Sequence, residues 1–221
     1  MPAADGYAYR RLQMVEALRR GGVTDERVLE AMGEVPRHLF VPQAMRHQAY
    51  AQDVSLNIGE GQTMSQPRVV AAMTQAACIP PDGRVLEVGT GSGYQAAVLA
   101  QLARFVFTVE RLGALAREAK DRLDRLGVEN VSVKVMDGTL GWRAQAPFEA
   151  ILVTAGAPEI PSPLVDQLAE GGRLVVPVGG NDGQVLQVVV RRGTGRSVQE
   201  LQHAYFVPLI GRHGWREGDG G

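Results

Sequence analysis

Three glycines and a carboxylate lie close together in the stretch VLEVGTGSGYQ, which spans residues 85–95. Glu87 precedes the alternating glycines, and the apolar run before them indicates a strand that turns into a helix. Glycine is required where the backbone turns sharply and approaches a ligand closely. The dinucleotide fingerprint G-x-G-x-x-G would need a glycine where this chain has Tyr94. The loop therefore predicts a ligand site, but not one for a dinucleotide.

Two further carboxylates follow the next two apolar runs. Glu110 ends the run FVFTVE, and Asp137 follows VSVKVM. Because the carboxyl ends of neighbouring parallel strands meet at one edge of a sheet, these carboxylates and the glycine loop are expected to share a site. Glu110 is suited to accept hydrogen bonds from both hydroxyls of a ribose, and Asp137 is expected to meet an adenine amine. The three motifs in this order predict a nucleoside-containing cofactor.

The spacing G-x-G-x-G with an acid two residues before it is typical of methyltransferases that use S-adenosylmethionine. That cofactor has no pyrophosphate, which agrees with the missing dinucleotide fingerprint. In this core, the residues expected to bind the cofactor are Gly89, Gly91, Ser92, Gly93, Glu110, Arg111, Asp137 and Gly138.

A polar stretch upstream, GEGQTMSQP at residues 59–67, is followed directly by a predicted helix at about 68–77. Ser65 stands two residues before Pro67, so its hydroxyl is a plausible N-cap for that helix. The stretch is also placed to close over the methyl group of a cofactor held by the glycine loop. Both interpretations stay open from the residues alone.

The elements that would position these residues alternate between strand and helix from residue 84 onward. Apolar, β-branched runs predict strands at 84–88, 105–109, 131–135, 149–154, 173–178 and 184–190, with a seventh expected at 203–209. Helices are expected at 94–103 and 112–126, and residues 7–80 read as interrupted helices. The prediction is an α/β, Rossmann-like fold with a mostly parallel seven-stranded sheet and a helical N-terminal segment.

The composition sets limits on the class of protein. The chain has 221 residues, of which 45% are apolar and 21% charged, with a net charge of −1 and scattered Lys and Arg. That distribution argues against a nucleic-acid footprint. The lone Cys78 excludes an internal disulfide and a Cys-based zinc site. No apolar run has the length of a signal peptide or a membrane span, so a cytoplasmic protein without a membrane partner is expected. We also expect a monomer.

The residues after the fourth predicted strand bear on the methyl acceptor. They read VTAGAPEIP, without the Asn/Asp-Pro-Pro-aromatic motif typical of enzymes that methylate exocyclic amines. Cys78 has no partner for a covalent pyrimidine mechanism, and no His, Asp or Cys spacing suggests a metal site. These absences argue against amine-methylating, covalent pyrimidine and metal-assisted enzymes, and they leave the acceptor open.

With these residues assembled, the chain resembles the protein-L-isoaspartate O-methyltransferase family. The resemblance covers roughly residues 10–215, and the block GQTMSQP is more diagnostic than the glycine loop. The matching stretches are VPRHLFVP, IGEGQTMSQP, VLEVGTGSGYQ, VER, DGTLGW, APFEAILVTAGAPEIP, LAEGGRLVVPVG and FVPLIGRHGW. Met64 stands where isoleucine is common, which is a mild apolar exchange.

The resemblance implies a class I S-adenosylmethionine-dependent methyltransferase that esterifies the α-carboxylate of L-isoaspartyl residues in damaged proteins and peptides, starting their repair through a succinimide. It implies that Ser65 is the active-site residue, and we expect its hydroxyl to position the acceptor carboxylate. Thr63 and Met64 are expected to close over the methyl donor. Substrate contacts are expected from Gln66, Val207, Pro208 and Leu209.

The pattern of helices and strands divides the chain into a helical N-terminal segment with the active-site loop (1–80), a Rossmann-like core (81–210) of the same domain, and a polar C-terminal tail (211–221). Two alternatives remain. A related carboxylate O-methyltransferase acting on a biosynthetic peptide would keep the cofactor residues, and a binding-only module would hold S-adenosylmethionine without turnover. A nucleic-acid methyltransferase ranks last, given the charge.

Overall fold

The computed structural model describes residues 6–180 and 182–218, so the final three residues of the expected polar tail lie outside the described residues. The helices are α1 (Ala8–Arg20), α2 (Glu26–Glu34), α3 (Pro67–Ala77), α4 (Tyr94–Ala100), α5 (Gly113–Arg125) and α6 (Ser162–Val165). The strands are β1 (Leu56–Gly59), β2 (Gln62–Met64), β3 (Arg84–Val88), β4 (Phe105–Glu110), β5 (Val131–Val135), β6 (Phe148–Val153), β7 (Leu168–Gly180), β8 (Gly183–Arg192) and β9 (Gly195–Ala204). Short 3-10 turns join several of them.

Seven strands form the central sheet in the order β5-β4-β3-β6-β7-β8-β9. The pairs from β5 to β7 are parallel, whereas β8 and β9 are added antiparallel. The expected mostly parallel, seven-stranded α/β fold is therefore confirmed. The chain leaves β3 towards β4 on one side and returns to pair β6 on its other side. Such a change of direction at the carboxyl ends of strands is where open α/β sheets bind ligands.

The central strands are covered on both faces, as their nearly continuous apolar runs require. Along β3, Val85 packs into one core cluster and Leu86 into the other. The first cluster includes residues of α1 to α4, and the second includes residues near α6. The helical N-terminal segment thus shares its core with one face of the sheet.

The expected position of the seventh strand, 203–209, is wrong. The strand is Gly195–Ala204, which pairs with β8 across a tight turn. Nine of its ten residues are exposed, so no buried face imposes the alternating pattern that identifies a strand in a sequence. Residues 207–209 instead line a cleft, and Phe206 packs against the first core cluster.

The polar stretch 59–67 belongs to a small antiparallel hairpin. Leu56 pairs with Met64, and the side chains of both residues and of Ile58 are buried, while the turn at 59–61 is exposed. Glu60 and the flanking glycines adopt positive φ at the turn. The hairpin was missed from the sequence because its strands are only four and three residues long.

Within the described residues, no helix is both long enough and apolar enough to cross a membrane.

Candidate active site

A cleft opens at the carboxyl ends of β3, β4 and β6, with about 840 Å³ of empty space open to solvent. We call one side the strand wall, formed by residues 87–92 and 109–111. The opposite side is the lid wall, formed by 62–65 of the hairpin and 207–210 of the segment after β9.

The glycine loop brings bare backbone to the strand wall. Gly89, Gly91 and Gly93 all have positive φ, which L side chains rarely adopt. A Cβ on Gly89 would collide with the hydroxyl of Thr154, which donates a 2.7 Å hydrogen bond to the Gly89 carbonyl. From α5, Arg122 donates to the carbonyl of Ser92 and supports the loop from behind. The loop is therefore fixed before any ligand arrives.

Glu110 ends β4 and is buried at the edge of the cleft. Its carboxylate accepts hydrogen bonds from the backbone N–H groups of Gly91, at 2.9 Å, and Leu112, at 3.0 Å. Two oxygens offer about four acceptor positions, so the carboxylate retains capacity for hydroxyl donors. This geometry agrees with the ribose contact expected from the sequence.

Glu87 is fully buried in β3 and also faces the cleft. One carboxylate oxygen accepts a hydrogen bond from Thr108, whose hydroxyl also contacts that of Thr90. The other oxygen, Oε1, has no hydrogen-bond partner within the described residues. The pKa of Glu87 is raised to about 8: burial raises it most, the hydrogen bond from Thr108 lowers it, and the nearby Glu110 carboxylate raises it. An unsatisfied buried oxygen on a cleft wall indicates a ligand donor.

Ser65 lies on the lid wall, half-buried, at the junction between β2 and α3. The N-cap of α3 is Gln66, and no side chain caps it, so the capping interpretation of Ser65 is wrong. The hydroxyl of Ser65 is left for the cleft, while its carbonyl accepts a 2.6 Å hydrogen bond from Arg37. Thr63 and Met64 line the same wall.

The segment 207–210 is held as a single extended strand against the loop after β6. Gly156 donates to the carbonyl of Val207 and accepts from the N–H of Leu209, both at 2.8 Å. The Trp215 indole donates to the Gly156 carbonyl as well. Residues 211–215 of the expected tail thus pack back against this segment and the loop after β6.

Three of the expected site residues do not line the cleft. The amide of Gln66 donates to the carbonyl of Asp53 and accepts from Arg68, so it faces outward. The Asp137 carboxylate accepts from Thr139 and from the backbone N–H of Arg212, so it caps a 3-10 turn and anchors the C-terminal segment. Gly93 instead lies behind the loop, against Ala119 of α5. The other expected residues line the cleft: Thr63, Met64, Ser65, Gly89, Gly91, Ser92, Glu110, Arg111, Gly138, Val207, Pro208 and Leu209.

Other polar residues of the cleft were not selected from the sequence: Gln62, Glu87, Thr90, Gln95 and Thr154. Glu87 and Thr90 lie inside the recognised glycine motif, which was the available signal. Gln95 and Thr154 reach the cleft only through the packing of α4 and β6, which sequence spacing does not reveal. Within residues 6–180 and 182–218, no group of three or more His, Cys, Asp or Glu residues could hold a metal ion.

Comparisons with known proteins converge on one family. The family model described as protein-L-isoaspartate(D-aspartate) O-methyltransferase matches residues 9–214. A protein-L-isoaspartate O-methyltransferase of Syntrophotalea carbinolica is 53% identical over 209 residues, covering 94% of this chain and 96% of the relative.

Two solved structures extend the likeness to the fold. One, a protein-L-isoaspartate O-methyltransferase, has a TM-score of 0.82 and 28% identity, covering 92% of this chain and 67% of its own. Another, described as a protein-L-isoaspartate O-methyltransferase from Plasmodium falciparum in complex with S-adenosyl-L-homocysteine, has a TM-score of 0.78 and 26% identity over 90% of this chain and 98% of its own.

Proposed function

Because the chain belongs to the protein-L-isoaspartate(D-aspartate) O-methyltransferase family, we propose that its cleft holds S-adenosylmethionine on the strand wall and the acceptor carboxylate at Ser65 on the lid wall. The enzyme methylates isoaspartyl residues of proteins and peptides with S-adenosylmethionine, and this esterification begins their repair. The observation that carries the residue assignment is that Ser65 and the glycine loop face the same cleft.

The strand wall suits the chemical groups of this cofactor. Its glycine backbone leaves room for the nucleoside, and Glu110 retains acceptor capacity for ribose hydroxyls. The Oε1 of Glu87 has no partner, and we propose that the ammonium group of the methionine part binds there as the Glu87 carboxyl releases its proton to solvent. When bound, S-adenosylmethionine supplies a methyl group already activated by a sulfonium leaving group. We expect Glu87→Gln, which preserves side-chain shape, to weaken cofactor binding measured by calorimetry.

The lid wall needs few reactive groups for this chemistry. A carboxylate acceptor is ionised at neutral pH, so no general base has to remove a proton from it. The remaining task is alignment, because transfer requires the acceptor oxygen to approach the methyl carbon in line. The Ser65 hydroxyl donates a hydrogen bond to the acceptor carboxylate in our proposal. Thr63 and Met64 exclude water from the space beside it.

The segment 207–210 provides an edge for an extended substrate chain. Val207 O and Leu209 N–H are already bonded to Gly156. Since backbone groups alternate in direction along a strand, the Pro208 carbonyl and the Ile210 N–H are directed to the opposite edge. Both residues line the cleft. We propose that substrate backbone pairs there, as in strand addition to a free edge.

The test is methyl transfer to a pair of synthetic peptides that differ only in an isoaspartyl or aspartyl linkage. The expected product is a base-labile ester that releases methanol, formed on the isoaspartyl peptide alone. Transfer to neither peptide, with measurable cofactor binding, would instead favour the related enzyme with another carboxylate substrate. Binding without transfer to any carboxylate would favour the binding-only module. The monomeric state and cytoplasmic location stay predictions.

A further inference from the structure

Arg37 is a fully buried guanidinium directly behind Ser65. Its Nε donates to the carbonyl of Ala49 at 2.7 Å, and its Nη2 donates to the carbonyl of Ser65 at 2.6 Å. Its central carbon lies 4.5 Å from the centroid of the Tyr94 ring, in cation–π geometry. The residue is held by backbone carbonyls and an aromatic face.

No carboxylate forms an ion pair with Arg37 in the part of the chain that the structure describes. Its Nη1 and the neighbouring hydroxyl of Tyr94 are both buried without a hydrogen-bond partner among the same residues. Burial lowers the pKa of Arg37, partly offset by the adjacent tyrosines. An unneutralised buried cation destabilises a fold unless its hydrogen bonds compensate. Its position beside the cleft therefore calls for a functional explanation.

The partners of Arg37 belong to three segments. Ala49 lies upstream of the β1–β2 hairpin, and Ser65 follows it. Tyr94 begins α4 directly after the glycine loop and lines the cleft, as Ser65 does. One side chain therefore connects the segment before the hairpin and the residue after it to the start of α4. The planar guanidinium donates in two fixed directions at once, which a lysine ammonium on a flexible stem does not reproduce.

We propose that Arg37 is a positioning residue that fixes the Ser65 segment over the strand wall for methyl transfer. The inference rests on the proposed role of Ser65. Arg37 does not contact the reacting groups in this account, and it acts by holding the Ser65 carbonyl. A displacement of about 1 Å at a reacting centre lowers turnover by about 100-fold. Loss of Arg37 is therefore expected to lower kcat far more than it weakens cofactor binding.

A double-mutant cycle of Arg37→Met and Ser65→Ala tests this coupling. We expect Arg37→Met to lower kcat by roughly 10- to 100-fold in the natural background and by less than about threefold when Ser65 is already alanine. Affinity for S-adenosylhomocysteine, measured by calorimetry, is expected to stay within about threefold. Circular dichroism establishes that each variant is folded. If Arg37→Met does not fold, Arg37→Lys replaces it in the same cycle.

Arg27 supplies a matched control, because it also donates to two backbone carbonyls, those of Ile79 and Leu102, both at 2.9 Å and away from the cleft. We expect Arg27→Met to lower thermal stability and leave kcat unchanged. If Arg37→Met lowers kcat by the same factor in both Ser65 backgrounds, the inference is overturned, because Arg37 then has a general structural role. Unchanged kcat in Ser65→Ala alone would instead overturn the role of Ser65, so the two failures are distinguishable.

Discussion

The strand wall lies on the ends of fully buried parallel strands, whereas the lid wall consists of a short hairpin and one extended segment after β9. On the strand wall, Glu87 and Thr90 are buried and both contact the Thr108 hydroxyl of β4, and buried Glu110 accepts from the N–H groups of Gly91 and Leu112. On the lid wall, Ser65 and Pro208 are half-exposed; the Ser65 carbonyl accepts from Arg37, and both neighbours of Pro208 are bonded to Gly156. A buried wall with a more exposed cover is suited to bind one constant cofactor and many different protein substrates.

This contrast predicts that substitutions on the strand wall change cofactor affinity or stability, and that substitutions on the lid wall change turnover or peptide binding.

Glu87→Gln should change the pH dependence of stability. The folded-state pKa of about 8 exceeds the ordinary value of 4.5, so the folded protein keeps a proton that the unfolded chain loses. The free energy of unfolding of the natural protein therefore falls as pH rises from about 4.5 to about 8, by about 4 kcal/mol. The glutamine variant lacks this titration. Urea unfolding without cofactor at pH 5 and pH 8 measures the free energy of unfolding of both proteins. From pH 5 to pH 8 the variant should become more stable relative to the natural protein. A stability difference that does not change with pH would contradict the raised pKa of Glu87.

Ser65→Ala should lower kcat for the isoaspartyl peptide by roughly 100-fold, because the acceptor carboxylate loses the donor that aligns it. Steady-state methyl transfer at saturating peptide measures this. Ser197→Ala on the exposed strand β9 is the control, and we expect it to have natural activity. Natural turnover in Ser65→Ala would remove the serine from the mechanism.

Glu110→Ala should weaken cofactor binding by about 1–3 kcal/mol, the usual effect of leaving buried polar partners unpaired. Calorimetric titration gives the dissociation constant. Glu149→Ala is the control: Glu149 also accepts from a backbone N–H, that of Arg84, but at the opposite end of β3. Equal cofactor affinity in the two variants would show that the ribose lies elsewhere.

Gln184→Ala should raise the KM for peptide by a few-fold, about 1 kcal/mol. The buried Gln184 accepts from the N–H of Phe206 and donates to the carbonyl of Gly180, both at 2.8 Å, so it fixes the start of the substrate edge. Gln167→Ala removes a comparable buried amide that donates to Leu140 and Pro163. A KM that rises equally in both variants would argue against a local effect on the substrate edge.

The two walls also differ in how far the sequence predicts them. The bounds of the strands that end at the strand wall were predicted closely, because burial on both faces produces apolar runs such as 84–88 and 149–154. The glycine loop was predicted because positive φ restricts the residue type. The lid wall was expected from the position of 59–67 upstream of the glycine loop and from the family resemblance, but its hairpin was not predicted, because strands this short carry little periodicity.

Some features have no signature in the sequence. Asp137 and Gln66 were expected to line the cleft. The Asp137 carboxylate instead accepts hydrogen bonds from Thr139 and Arg212, and the Gln66 amide donates to the carbonyl of Asp53. Arg37 was not selected, since an arginine in PRHLF reads as a surface residue until its burial is known. Side-chain direction in loops depends on tertiary packing, which residue spacing does not specify.

The most direct test of the independence of the two walls is the affinity of Ser65→Ala for S-adenosylhomocysteine, measured by isothermal titration calorimetry on the preparation used for turnover. The account predicts a dissociation constant within about threefold of the natural protein, although turnover has fallen by roughly 100-fold. A loss of affinity as large as the loss of turnover would contradict it, because Ser65 would then support the cofactor and not only the acceptor.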